Sequence, residues 1–355
     1  MQSRAELITI IQKGRPEIPL ETVIKWATYL TQLDGCHLFS VAAPEKDKAE
    51  WLRERRAGIG GSEVAAIMGE NHWNSPRQIW MSKMGMFDDK PPQQSEAARW
   101  GNLLETVVAD EWALRENRKY VHIPVILQDD ERPYLLANID GFTLSDDGQV
   151  ITGILEIKTT SAYNQSVWEN GPLPFHYMCQ TNWYCGITRL GAYTIVCLVG
   201  GQHLYSYDLP ADSELFAREV AAADDFWLNH IVTGIEPEAT AVDKELLKKA
   251  ESADEVPDVD EAPTLILDDE ESQRLITSYI QLREKAKALK DIKDAVYAQI
   301  KIKIGKSPSA MTATNSVTVK KTARRSCDFD LLQSIAPEIY AQVVSENVSL
   351  SLDIR

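Results

Sequence analysis

A chain of 355 residues is long enough for one large domain with a smaller companion, or for two domains. A hydrophobic fraction of 44% is that of a globular protein, and no stretch approaches the roughly 18 consecutive apolar residues that span a bilayer. The formal net charge of −16 argues against a polyanionic partner held by the whole surface.

The charge is unevenly spread. Residues 236–271 hold 14 acidic side chains against 3 lysines, a net of −11, whereas residues 283–325 hold 12 basic against 3 acidic, a net of +9. Steering depends on the local field, so the sum does not exclude nucleic acid. The five cysteines are irregularly spaced and none forms C-x-x-C, which fits a reduced, cytoplasmic protein without a zinc site or disulfide framework. The first residues, "MQSRAELITIIQKGRPE", lack the apolar core of a secretory signal.

In chain order, residues 1–48 read as a helical lead-in, because "ETVIKWATYLTQL" has apolar positions at helical spacing. Residues 49–236 carry most of the Trp, Gly and aromatic residues and read as one compact α/β unit. Its first motif is "RRAGIGGSEVAAIMG", a Gly-rich turn feeding a helix. It lacks the third Gly of a dinucleotide fingerprint and the Lys of a P-loop. Ser62 is the expected N-cap, with Glu63 in the first turn. Two readings stand side by side: a plain capped helix, or free N–H groups that suit a phosphate, with Arg55 and Arg56 adding charge-assisted contacts.

"ARWGNLLETVVADEW" comes next, a predicted helix whose Leu104, Val107, Val108 and Trp112 form an apolar stripe. Glu105 adjoins that stripe. It either pairs with Arg99 as a half-buried glutamate, or serves as a carboxylate for a metal.

Two strands follow, "YLLANIDGF" and "VITGILEIKTT", separated by the turn residues "SDDG" and expected to lie as neighbours. In the second, apolar and charged residues alternate, so Ile154, Glu156 and Lys158 share one face and Leu155 and Ile157 the other. An arbitrary Glu-x-Lys on a strand is a weak surface ion pair. Here Asp140 ends the neighbouring strand, so two carboxylates and an amine can converge at one edge of a sheet. Paired carboxylates suit Mg²⁺ or Mn²⁺, and a lysine beside them can orient a water and offset charge. That is the minimal equipment for metal-assisted phosphodiester hydrolysis. In the last motif, "WENGPLPFHYMCQTNWYCGIT", Pro172 and Pro174 mark a turn before a helix. Gln180 on that helix reads by default as a satisfied core amide, and Tyr177 and Tyr184 as core aromatics.

Beyond these, residues 237–271 have the acidic, Pro-punctuated composition of a linker. Residues 272–355 read as a helical, basic C-terminal extension. A long helix ends at Gly305, "SVTVKKTARRSCDFD" reads as a strand or hairpin, and "DLLQSIAPEIYAQVV" as a short helix.

Taken in order, "GIGGSEVAAIMG", "WGNLLE", "PYLLANIDGF", "GILEIKTT" and "PFHYMCQTNWYCGIT" resemble the lambda-type phage exonucleases, or YqaJ-like viral recombinases, of the PD-(D/E)XK nuclease superfamily. The resemblance covers about residues 50–230. It implies an α/β (α+β) fold, with a central mixed β-sheet flanked by helices in a restriction-endonuclease-like core. It implies that Asp140, Glu156, Glu105 and the backbone carbonyl of Ile157 hold Mg²⁺, with Mn²⁺ as a substitute. Lys158 would be the catalytic lysine, Gln180 would support the site, and Ser62 and Arg56 would lie near a phosphate. The residue before Asp140 is Ile139, where the superfamily signature has Pro; residues 1–48 have no counterpart, and the acidic segment 237–271 is not expected of a DNA-binding family.

The implied activity is a 5′→3′ exonuclease on double-stranded DNA ends, serving recombination by single-strand annealing. Its implied partner is a phage annealing protein, its assembly a homotrimeric ring, and its location the cytoplasm of a bacterial host carrying the phage or prophage. The alternatives are a structure-selective or single-strand endonuclease on the same fold, and a non-catalytic DNA-binding protein. Loss of a site residue would favour the last, and Glu105, Asp140, Glu156 and Lys158 are all present.

Overall fold

The computed structural model describes residues 4–41, 53–86, 95–244, 247, 265–321, 323 and 329–344. The chain divides into two compact units, Met1–Leu246 and Leu247–Arg355.

The first unit opens with α1 (Arg4–Gly14) and α2 (Leu20–Leu30). Val23, Trp26, Ala27 and Leu30 of α2 are buried at helical spacing. The lead-in is not wholly helical: it also supplies a strand, β1 (Cys36–Val41). Cys36, Leu38 and Ser40 are buried while His37 is half-buried, the period-2 pattern that favours pairing in a sheet.

The other strands are β2 (Ile59–Gly60), β3 (Lys119–Asp129), β4 (Leu135–Leu144), β5 (Ile151–Thr160), β6 (Ala192–Val199) and β7 (His203–Pro210). They form a mixed sheet in the order β1-β3-β4-β5-β6-β7, with β2 alongside β4. Every pair on that path is antiparallel except β5 and β6. A parallel pair cannot be joined by a hairpin. The crossover here carries α6 (Gln165–Asn170) and α7 (Phe175–Thr188).

Helices cover both faces of the sheet, as a two-sided apolar sheet requires. One face buries Ile154, Ile195 and Cys197 of β5 and β6 with Trp183 and Cys185 of α7. The same cluster takes in Val64 of α3 (Gly61–Ile67), Trp80 of α4 (Pro76–Lys83) and Phe226 of α8 (Ser213–Phe226). The opposite face packs Leu155 and Val196 on Val108, Ala109 and Trp112 of α5 (Glu96–Glu116). The central mixed sheet flanked by helices is thus the fold expected from the sequence.

In the second unit, α9 (Glu270–Ile304) begins where Asp269 accepts a bond from the Ser272 N–H at 2.8 Å. It stops at Gly305, whose φ of +57° suits a residue without a Cβ. A short hairpin of β8 (Ser309–Met311) and β9 (Ser316–Thr318) follows. The single helix expected over "DLLQSIAPEIYAQVV" is two, α10 (Phe329–Ile335) and α11 (Pro337–Val343). Ala336 sits at φ −147°, because the residue before a proline is pushed out of helical geometry. Residues 245–246 and 248–264 of the acidic stretch lie outside the described residues, as do Arg324 and Arg325 of the basic one. Among the described residues no helix is long and apolar enough to cross a membrane.

Candidate active site

The site grows from β5. Its alternation puts Ile154 into the α7-side cluster and Leu155 into the α5-side cluster, so Glu156 and Lys158 face α7. The ladder between β4 and β5 runs from Leu144↔Ile151 to Gly141↔Leu155 and stops there. The ladder between β5 and β6 continues to Thr160↔Val199. Beyond Leu155, β5 therefore keeps one neighbour and is free of β4 on the other side. Asp140 and Glu156 stand one residue past that last registered pair, where the two strands part. Asp140 lies in β4, and its side chain is outside the described residues.

Glu156 is 2% exposed. Its Oε1 accepts from Lys158 Nζ at 2.5 Å and from Gln180 Nε2 at 2.9 Å. Lys158 Nζ also donates to Gln180 Oε1 at 3.1 Å. Gln180, a core amide by default and a support of the site by the family resemblance, is the bridge between carboxylate and ammonium. The helix supplies two more contacts. Gln180 Nε2 reaches the Tyr184 hydroxyl at 3.2 Å, and the Tyr177 ring lies 5.0 Å from Lys158 Nζ. Tyr177, Gln180 and Tyr184 are spaced three and four residues apart, which is one helix face. Both tyrosines are also the core aromatics expected: Tyr184 is buried in the cluster on this face of the sheet and Tyr177 packs against it.

Glu105 approaches from α5, on the other side of the sheet. It faces His122 Nδ1 at 3.7 Å, while Arg99 pairs instead with Glu96 at 3.9 Å. The expected Arg99 partner is thus replaced by a histidine on β3, opposite Gly141 in the ladder. A cleft between α5 and the sheet is lined by Glu105, Tyr120, His122, Gly141 and Ile157. Burial raises the ionisation point of the Glu105 carboxyl, the negative charge of Glu156 raises it further, and Lys158 works against both. The two carboxylates therefore sense one another across the opened edge of β5.

A divalent metal can be tested against these residues. Glu156 Oε2 is buried and has no hydrogen-bond partner among the described residues. A buried carboxylate oxygen without a donor, near a second carboxylate that opposes its charge, matches a hard cation that takes oxygen ligands. Among the described residues no three His, Cys, Asp or Glu side chains converge, and Asp140 would have to supply the remaining carboxylate.

The Gly-rich turn differs in detail from its reading. The N-cap of α3 is Gly60, and Ser62 lies inside the helix. The Gly60 N–H is taken by Glu63 Oε2 at 2.9 Å, because a glutamate at the third helical position can reach back to the cap. Glu63 in turn receives Lys83 Nζ at 2.8 Å, and burial lowers the Lys83 pKa against the pull of Glu63. Ser62 Oγ accepts from Arg55 Nη2 at 2.8 Å. The turn lies directly on α7: a Cβ at Gly61 would come within 2.6 Å of Tyr184 and 2.7 Å of the Gln180 carbonyl. Arg55 and Ser62 are thus joined to each other on the turn that packs against Gln180.

Residues 50–190 match the family model described as the YqaJ-like viral recombinase domain. Along more of its length the chain is similar to protein YqaJ of Bacillus subtilis (strain 168), at 31% identity over 309 residues, 85% of this chain and 92% of that one. The chain belongs to the YqaJ-like viral recombinase family. Its membership takes in the Gly-rich turn, α5, β4, β5 and α7, all inside the matched span. Among solved structures, it is similar to the alkaline exonuclease LHK-Exo from Laribacter hongkongensis, with a TM-score of 0.43 at 16% identity, over 57% of this chain and 97% of that one. A phage-related exonuclease from Haemophilus somnus 129PT gives a TM-score of 0.35 at 13% identity, over 50% and 96%.

Proposed function

We propose that this YqaJ-like viral recombinase is a metal-dependent deoxyribonuclease that digests linear duplex DNA from its ends in the 5′→3′ direction. Glu156, Asp140, Glu105 and the Ile157 carbonyl would hold Mg²⁺, or Mn²⁺ in its place. When bound, such an ion polarises a phosphoryl oxygen and makes a bound water more acidic.

The observation that carries the reading is the closed network of Glu156, Lys158 and Gln180 at the point where β4 and β5 separate. Lys158 is the only one of the three with an exchangeable positive charge. Its ammonium is held by a carboxylate, an amide oxygen and an aromatic face. Held so, it orients an attacking water by donating an N–H to its oxygen and offsets charge on the pentacoordinate phosphate. Gln180 fixes both partners of that pair at once. Arg55 and Arg56 supply positive charge near the Gly-rich turn for a flanking phosphate. Family membership supports the recombination role, in which the single strand left behind passes to an annealing protein, and a trimeric ring keeps the enzyme on its duplex.

The test is digestion of a linear duplex labelled separately at its 5′ and 3′ ends, with Mg²⁺ or with EDTA, beside a closed circular duplex. Early release of 5′ label, only with metal and only from the linear molecule, is the expected result. Cutting of the circle would make the protein an endonuclease. Early release of 3′ label would reverse the polarity.

A further inference from the structure

The 35 residues of α9 include no buried side chain, and no described residue from 265 onward is buried. A helix draws most of its stability from packing an amphipathic face. The face available on α9 has a definite form. Leu275, Leu282, Leu289 and Val296 recur every seven residues, and Tyr279 and Ile300 fall at the complementary places of the same heptad. These six side chains are between 42% and 67% exposed. Ala286 and Lys293 fill the other two places, so the seam runs for more than three heptads, enough to specify a coiled-coil contact.

Around its middle the seam has basic flanks, while Ile276, Ile292 and Tyr297 hold flanking places nearer its ends. In the same heptad, Arg283 and Lys290 stand on one side of it and Lys285 on the other. In a parallel pair of α9 helices, Lys285 of one would face Lys290 of the other. In an antiparallel pair, Arg283 and Lys290 would face each other. Either arrangement brings like charges together. A second copy is therefore a poor occupant. A DNA backbone would engage the lysines but leave the Leu row in water. A helix with an apolar seam and glutamates at its flanking positions satisfies both features.

We propose that α9 is a docking helix for an amphipathic, acid-flanked helix of a partner protein. The site is separate from the nuclease reading and does not depend on it.

The test uses the full chain and two synthetic peptides of about four heptads, both with Leu at the seam. One carries Glu at the flanking positions and the other Lys. Titration calorimetry should show saturable binding of the Glu peptide at least tenfold tighter than of the Lys peptide. Leu282→Glu with Leu289→Glu should weaken that binding at least tenfold and leave hydrolysis of linear duplex unchanged. Lys285→Glu with Lys290→Glu, which leaves the seam intact, should reverse the preference toward the Lys peptide. Equal binding of both peptides, or of neither, overturns the proposal. Displacement of the Glu peptide by a short duplex would make the stripe a nucleic-acid surface instead. Self-association of the unmodified chain that Leu282→Glu abolishes would make the occupant a second copy.

Discussion

Lys158 and Glu156 are two residues apart on one strand, yet they are joined through a third side chain 22 residues beyond the lysine. Replacing Lys158 with Ala removes the ammonium and leaves the buried Glu156 carboxylate with Gln180. Hydrolysis of linear duplex should fall about 10²- to 10⁴-fold, the usual range for a positioned proton-handling group, with duplex binding by anisotropy nearly unchanged. A variant that cleaves at close to the unmodified rate would remove Lys158 from the site. Gln180→Ala leaves the direct ion pair in place but frees both partners to rotate. A loss of about 10- to 100-fold is expected, as for groups that orient ligands. The same variant should hold its melting temperature within a few degrees, which separates misplacement from unfolding.

At the level of elements, α7 matters for what it holds on each side. One face presents Gln180 to β5; the other meets α8 at close range. A Cβ at Gly186 would lie 2.0 Å from the Phe216 ring, so Gly186→Ala must displace that ring. The expected cost is about 1–3 kcal/mol, read as a fall in the denaturant midpoint at constant slope. The same interface buries Glu219 completely. Asn182 Nδ2 donates to its Oε2 at 3.3 Å, while Oε1 has no partner among the described residues. Burial pushes the Glu219 carboxyl up from 4.5 to about 8, against the weaker pull of Asn182 and Cys179. The folded state then holds a proton that the unfolded chain has released above about pH 4.5. Stability from this group is full below that pH and is lost as pH rises toward 8, with a slope of at most about 1.4 kcal/mol per pH unit. Glu219→Gln mimics the protonated form, so the difference between the two proteins should grow from pH 5 to pH 8 in favour of the variant. A pH-independent difference would show that Glu219 is already ionised in the fold.

For the whole molecule, the division at Leu246 sets an expectation of its own. The sheet, both helical layers and all the candidate site residues belong to Met1–Leu246. A chain ending at Leu246 should unfold in one cooperative transition and keep hydrolysis of linear duplex within about threefold of the full chain. Failure to fold would mean that the second unit completes the core of the first. Retained folding with lost activity would mean that it contributes to substrate binding.

What could be read from the sequence alone was what neighbouring residues settle among themselves. Alternation fixed which side of β5 carries Glu156 and Lys158, helical spacing marked α9, and Gly305 marked its end. Signals of this kind need only backbone geometry, which repeats every two or 3.6 residues. The order of motifs added the family and the sheet flanked by helices. The tertiary structure alone decided where β4 leaves β5, that Gln180 joins both partners of the pair at once, and that Glu105 faces His122 and not Arg99. It also moved the helix cap from Ser62 to Gly60. The bridge and the Glu105 partner depend on side chains brought close by packing from other elements, whereas the cap is settled locally by Glu63. A single side chain has several partners of the right chemistry within reach along the chain, and only the closed fold selects among them.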